Sequence, residues 1–432
     1  FVFRESSSIE ISLIPQEEDG IFSDDVRSIS QARLMESYLL DWANLLVRWL
    51  HVIAGVAWIG SSFYFVMLDF SLKPPKHPED EQRGVFGELW AVHGGGFYVS
   101  QKFLTGPKGE PLSDDLHWTK YEAYTTWLSG MALLALIYWF GANAFLIDSR
   151  VLALTSAQAI SLSVAFIGVG WFAYDGLCRL LVGKDNLLAM LVFVFVVASD
   201  YALFQLFSAR AAFVHVGAML GTMMVANVFF HIIPGQKKMV AQIRAGTEVD
   251  PTPGVIGKQR SVHNTYFTLP VLFIMISNHY PLTYSHEHGW LVLLVIMLAG
   301  VLIRQFFVLR HRGESRWWLP LSGTVLLVGL MVALAPKSLE TASGNEQVSF
   351  AQVQQVLKQR CVTCHAAQPT QPGFAQPPKG VMLETPEQVT QHTVKLAETV
   401  RIGYMPLGNL TQITEAERQL IATWFAQGAP AR

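Results

Sequence analysis

The sequence predicts an all-α membrane protein: a polytopic bundle of about eight transmembrane helices followed by a small all-α domain outside the bilayer. Three observations carry this. Only 15% of the 432 residues are charged, against about 25% in soluble domains, and the mean hydropathy is +0.32. The apolar residues fall in blocks of about 20, the length that spans a bilayer as a helix. From Val348 onward the chain turns polar and carries Cys361-Val-Thr-Cys364-His365. Three cysteines exclude a disulfide scaffold, and a net charge of −2 leaves no basic field for nucleic acid.

The predicted spans are Trp42–Phe70, Tyr124–Phe140, Ala157–Val182, Asn186–Phe207, Ala209–Ile233, Asn264–Tyr280, Gly289–Leu309 and Trp318–Ala335. Lysine and arginine set their orientation. The segments after spans one, three, five and seven hold sixteen of them, whereas the three opposite loops hold only Arg150 and Arg210. The basic loops therefore face the cytoplasm and both termini lie outside. Residues 1–34 are polar and acidic and precede Met35, so they read as a disordered or non-native extension; residues 35–335 form the membrane domain. Trp and Tyr near span ends fit an interfacial belt.

Residues 336–347 read as a linker, and 348–432 as a separate helical domain. Phe350, Val353, Val356 and Leu357 mark one face of a helix over 349–360. A second helix over 414–427 opens with Thr414 and Glu417 at capping-box spacing. Between them, Cys-x-x-Cys-His is the attachment motif for c-type haem: both thiols bond the porphyrin, and the adjacent His365 ligates iron. A zinc site would need further ligands, and the tail has no other cysteine. Met405, in Gly-Tyr-Met-Pro forty residues downstream, is the expected sixth ligand, with His392 the rival. The tail resembles small bacterial class I cytochromes c, which carry their haem outside the cytoplasmic membrane.

Ionisable groups inside spans are costly and usually functional. Depth sorts the histidines into an outer group (His51, His215, His279) and an inner group (His93, His231, His263). Matched depth on separate helices makes His51 and His215 candidate axial ligands of a b-type haem, with Arg48 one turn away from His51 as a propionate partner. The alternative, that such a histidine bonds a backbone carbonyl, stays open. His93, His231 and His263 are the candidate catalytic residues, with His93 or His231 as the general base. Asp175 reads as a packing or proton-path group, and Cys178 as a buried thiol. Asp200 is the other partner open to Arg48. Gly94-Gly95-Gly96 lacks the features of a phosphate loop and reads as a flexible bend or as a close approach to a flat ligand.

Three segments resemble the PuuD-type membrane urate oxidases: Arg48 to Gly60, Trp90-Ala-Val-His93-Gly-Gly-Gly-Phe97, and His231-Ile-Ile-Pro-Gly-Gln236. The resemblance covers about 35–432. It implies oxidation of urate to 5-hydroxyisourate, with the fused haem c passing electrons to a respiratory acceptor such as a terminal cytochrome c oxidase. It also implies a multi-pass protein of the bacterial inner membrane with a periplasmic tail. Two other readings stand beside it: a quinol-oxidising membrane cytochrome, and a bundle that merely anchors an electron-transfer cytochrome c.

Overall fold

A computed structural model describes residues 24–335, 347–372, 374 and 376–430. The chain divides into two compact units, 1–42 and 43–432. The first is described by the opening part of helix α1 (Asp24–Ser71), where the rings of Tyr38 and Trp42 meet edge to face at 6.3 Å. Residues 24–34, assigned above to an extension, are thus helical. Residues 1–23 and linker residues 336–346 lie outside the described residues.

The second unit continues with α2 (Pro78–Gln82), strands β1 (Val85–His93) and β2 (Gly96–Phe103), α3 (Tyr121–Leu134), α4 (Ser156–Leu180), α5 (Asp185–Phe204), α6 (Ala209–Ala226), α7 (Ile233–Arg244), α8 (Thr252–Ser277), α9 (Pro281–Tyr284), α10 (Gly289–His311) and α11 (Trp318–Ala333). The tail supplies α12 (Phe350–Arg360), α13 (Pro386–Arg401) and α14 (Glu415–Ala426). Helices stand at all eight predicted span positions, and five of them are long and apolar enough to cross a membrane. Helix α8 falls short because its first half carries Lys258, Gln259, Arg260 and His263. Helices α3 and α11 are shorter, α3 being prolonged by a π-helical turn over Ala135–Trp139.

Helix α6 is the centre of the bundle, with Ala211, Ala212, Phe213, His215, Val216 and Met219 fully buried. Small residues let its neighbours close on it. A Cβ on Gly217 would lie 2.6 Å from Ile274 of α8, and one on Gly170 of α4 would lie 2.7 Å from Met219. A π-helical segment, Asn227–Ile232, joins α6 to α7. Such turns shift the side-chain register of a helix and recur at functional sites.

The all-α expectation needs one correction. Strands β1 and β2 form an antiparallel hairpin in which His93 pairs with Gly96. The tip is the two-residue loop Gly94-Gly95, both with positive φ (57° and 83°), as a tight hairpin turn of this kind requires. The hairpin is pinned to the end of α1 by paired backbone hydrogen bonds between Lys73 and Glu88. The glycines are therefore a turn between strands, not a bend beside a helix.

The tail has its own core, including Val353, Leu357, Ile421 and Trp424. The predicted capping box at Thr414 and Glu417 forms, and Ser349 with Gln352 and Thr385 with Gln388 repeat it. The tail sits on the bundle end formed by residues 141–151 and 278–288. Gly408, at φ +54°, lies so close that a Cβ there would come 2.8 Å from the carbonyl oxygen of Ile147, and the rings of Tyr404 and Tyr284 meet at 6.2 Å. The basic loops occupy the opposite end, where Lys258 pairs with Asp69 at 2.8 Å.

Glu417 gives a pH-dependent test. Burial alone would raise its pKa, but hydrogen bonds from Thr414 and the ion pair with Arg360 (3.0 Å) hold it below the usual carboxylate range. Its stabilisation is present above that range and is lost as the pH falls through the lowered pKa. Glu417→Gln is expected to weaken protection of the α14 amides against hydrogen exchange by about 1 kcal/mol at neutral pH. The difference should vanish in acid below the carboxylate range.

Candidate functional site

Helices α4, α6 and α8 place a polar cluster at the end of the bundle away from the tail. Trp171, Tyr174, Asp175 and Cys178 recur at the spacing of one face of α4, and Arg260, His263, Asn264 and Phe267 do the same on α8. The π-helical segment brings Asn227 and His231 to meet them. Asp175 is the hub. It accepts from Arg260 Nη2 at 2.7 Å, from His231 Nε2 at 2.7 Å and from Arg179 Nε at 2.6 Å.

Arg260 also donates to Asn227 Oδ1 at 3.1 Å. Asn227 Nδ2 donates to Asn264 Oδ1 at 2.8 Å and to the Tyr174 hydroxyl at 3.0 Å. That leaves the Tyr174 hydroxyl to donate to His263 Nδ1 at 2.8 Å, which puts the His263 proton on Nε2. Arg260 is 2% exposed and lies over the Tyr174 ring, yet its Nε has no partner. Two guanidinium groups against one carboxylate leave the cluster with one excess positive charge. That excess charge suits an anion.

Of the three candidate catalytic histidines, the structure brings His231 and His263 into this cluster. His93 stands apart, exposed on the hairpin beside its turn. The cluster's other members carried weaker signals: Asp175 read as a packing or proton-path group, Arg260 only as one of the basic residues counted after span five, and Tyr174 and Asn227 passed unread. The signal that finds them is the polar face at helical spacing within an apolar segment.

The candidate haem b pair is held on different partners. His51 is tied to α3 through Nδ1, 2.9 Å from the Thr126 carbonyl and 3.1 Å from Ser129 Oγ. His215 is fully buried with both nitrogens engaged. Its Nδ1 donates to the Ala211 carbonyl at 2.7 Å, and Ser163 Oγ, 2.6 Å away, donates to Nε2 while accepting from Trp139 Nε1. An axial ligand must present a free nitrogen, and His215 has none. Arg48 bonds Asn44 rather than Asp200, whose buried carboxylate oxygens have no partner.

The tail arranges its donors differently. Cys361 and Cys364 are free thiols, and burial with its neighbour Cys364 pushes the Cys361 thiol up to about 12. His365 Nδ1 donates to the Val381 carbonyl at 2.9 Å, which leaves Nε2 for a ligand. Met405 packs on the same small core as Cys361. The buried Arg418 fixes the Met405 strand by donating to the Met405 and Val400 carbonyls at 2.8 and 2.7 Å. Two thiols, one oriented imidazole and one thioether are a donor set that fits a covalently attached haem.

Residues 37–335 match the family model described as urate oxidase N-terminal. The chain belongs to the urate oxidase N-terminal family. Comparison with curated proteins and with solved structures gives no match. The urate oxidase region contains the whole Asp175 cluster and the hairpin, while the tail lies beyond it and rests on its own motif. Family membership makes the chain a urate oxidase-related membrane protein.

The cluster predicts an asymmetry. Asp175→Asn strips the carboxylate from a buried Arg260 and is expected to cost about 3–5 kcal/mol. Arg260→Gln leaves Asp175 with Arg179 and His231 and should cost about 1–2 kcal/mol. Thermal unfolding of the detergent-solubilised protein gives the order, and the double variant should cost less than the two together.

Proposed function

We propose that the chain oxidises urate to 5-hydroxyisourate and delivers the electrons to a haem c in its own tail, and from there to a respiratory acceptor such as a terminal cytochrome c oxidase. One observation carries this reading: a bundle of the urate oxidase family is continuous with a tail, seated on that bundle, in which Cys361 and Met405 share one small core and Cys364 and His365 follow in the turn after Cys361.

Cys361 and Cys364 would hold the haem covalently, and His365 Nε2 and Met405 would hold its iron. The bound haem supplies a one-electron acceptor of raised potential. Arg418 holds the Met405 strand, and Val381 holds the His365 ring, so both donors are oriented by the chain itself. All eight helices cross the membrane in this reading. The tail end faces the periplasm of a bacterial inner membrane, as the concentration of lysine and arginine at the opposite end supports.

The purified protein, kept free of oxygen, is expected to show haem c reduction on addition of urate. Cys361→Ala, Cys364→Ala and His365→Ala should each abolish stable haem staining and urate-dependent reduction. Reduction by a quinol but not by urate would favour the quinol-oxidising reading instead.

A further inference from the structure

The tail does not close completely on the bundle. Between them lies a cavity of about 550 Å³, within the usual range for small-molecule sites. Its walls include Phe145, Arg150, Arg210, Tyr284, His286 and, from the tail, Tyr404, which immediately precedes Met405. The Tyr284 side chain is only 2% exposed, and its hydroxyl faces that of Tyr404. Two facing hydroxyls share one hydrogen bond between two donors, so the pair still wants an acceptor, which a ligand reaching Tyr404 would supply.

The charges point the same way. Arg150 is neutralised by Asp148 at 2.6 Å. Arg210 has no carboxylate partner among the described residues. Its Nε donates to Asn278 at 3.0 Å, and its guanidinium lies 5.3 Å from the Phe145 ring centroid and 5.8 Å from that of Tyr138. The remaining acid of the wall, Glu287, is turned outward with its side chain 80% exposed, where solvent screens it. The inner wall is therefore cationic, aromatic and short of one hydrogen-bond acceptor. A planar anion with ring carbonyl oxygens satisfies all three conditions.

We infer that urate binds and is oxidised in this seam, between Arg210 and Tyr284 of the bundle and Tyr404 of the tail. The inference rests on the function proposed above. Urate and one water yield 5-hydroxyisourate, two protons and two electrons. The C5–O bond forms from water, and two one-electron acceptor equivalents at the tail are reduced. Distance favours the seam over the Asp175 cluster. Asp175 lies nineteen residues along α4 from its tail-side end at Ser156, about 28 Å of helix, whereas the seam is walled by the residue next to Met405. In this arrangement His231 and His263 serve the inner cluster and do not touch urate.

The test separates binding from turnover. Holoprotein reduced with dithionite cannot take further electrons, so equilibrium dialysis against radiolabelled urate reads binding alone. Arg210→Gln is expected to raise Kd at least tenfold, and Tyr284→Phe about fivefold, each with haem c content unchanged. Arg210→Lys, which keeps the charge, should recover part of the loss. If both Arg210→Gln and Tyr284→Phe bind urate like the parent while urate still reduces the parent's haem c, the seam is not the site and the proposed function stands. If the parent neither binds urate nor is reduced by it, the function itself fails and this inference falls with it.

Discussion

Hydrocarbon offers no hydrogen bonds, so every polar side chain carried into the bundle must find its partner within the protein. The architecture around α6 follows from that constraint. His215 can sit at the centre, fully buried, because Ser163 and the Ala211 carbonyl use both ring nitrogens. Trp139 completes the chain by donating to Ser163. At the other end Asp175 gathers two guanidinium groups and an imidazole, and the π-helical turn after α6 supplies the register that lets Asn227 and His231 join. Glycines at 170 and 217 bring the helices near enough for these short bonds.

The exceptions to this rule are informative because they are few. Among the described residues, Arg260 Nε, the Asp200 oxygens, two nitrogens of Arg304 and the hydroxyls of Thr265, Tyr284 and Thr363 are buried without a hydrogen bond of good geometry. Tyr284 lies beside a cavity of ligand size, facing Tyr404. Where most polar groups are satisfied, a pair of hydroxyls still wanting an acceptor at that cavity becomes evidence, which a loosely packed protein would not allow.

Most of the fold was legible in the amino-acid order because hydropathy in blocks is a strong signal for helices of this length. The tail's helices and the capping box at Thr414 were legible from the pattern after Val348, and the haem proposed for it rests on the fixed spacing of Cys361, Cys364 and His365. The hairpin went unread although Gly94-Gly95 lies between two runs rich in β-branched and aromatic residues, because the segment was weighed only against helices and ligand loops. The site was half legible. Depth along a helix grouped His231 with His263, which meet in one cluster, and with His93, which stands apart; depth carries no rotation, so it also paired His51 with His215, which face α3 and α4 respectively. Asp175 and Arg260 are joined by a contact between helices 85 residues apart in sequence, which no local pattern encodes.

The glycine at 408 has a further consequence. Its backbone lies on the carbonyl of Ile147 with no room for a side chain, so the tail has a shaped seat as well as a covalent tether. Tethering turns docking into an intramolecular event at an effective concentration on the order of millimolar. A separate carrier would have to diffuse to the bundle and find its orientation for each electron. In the proposed function that encounter would already be made, so the rate at which electrons left the bundle would be independent of how much protein the membrane holds.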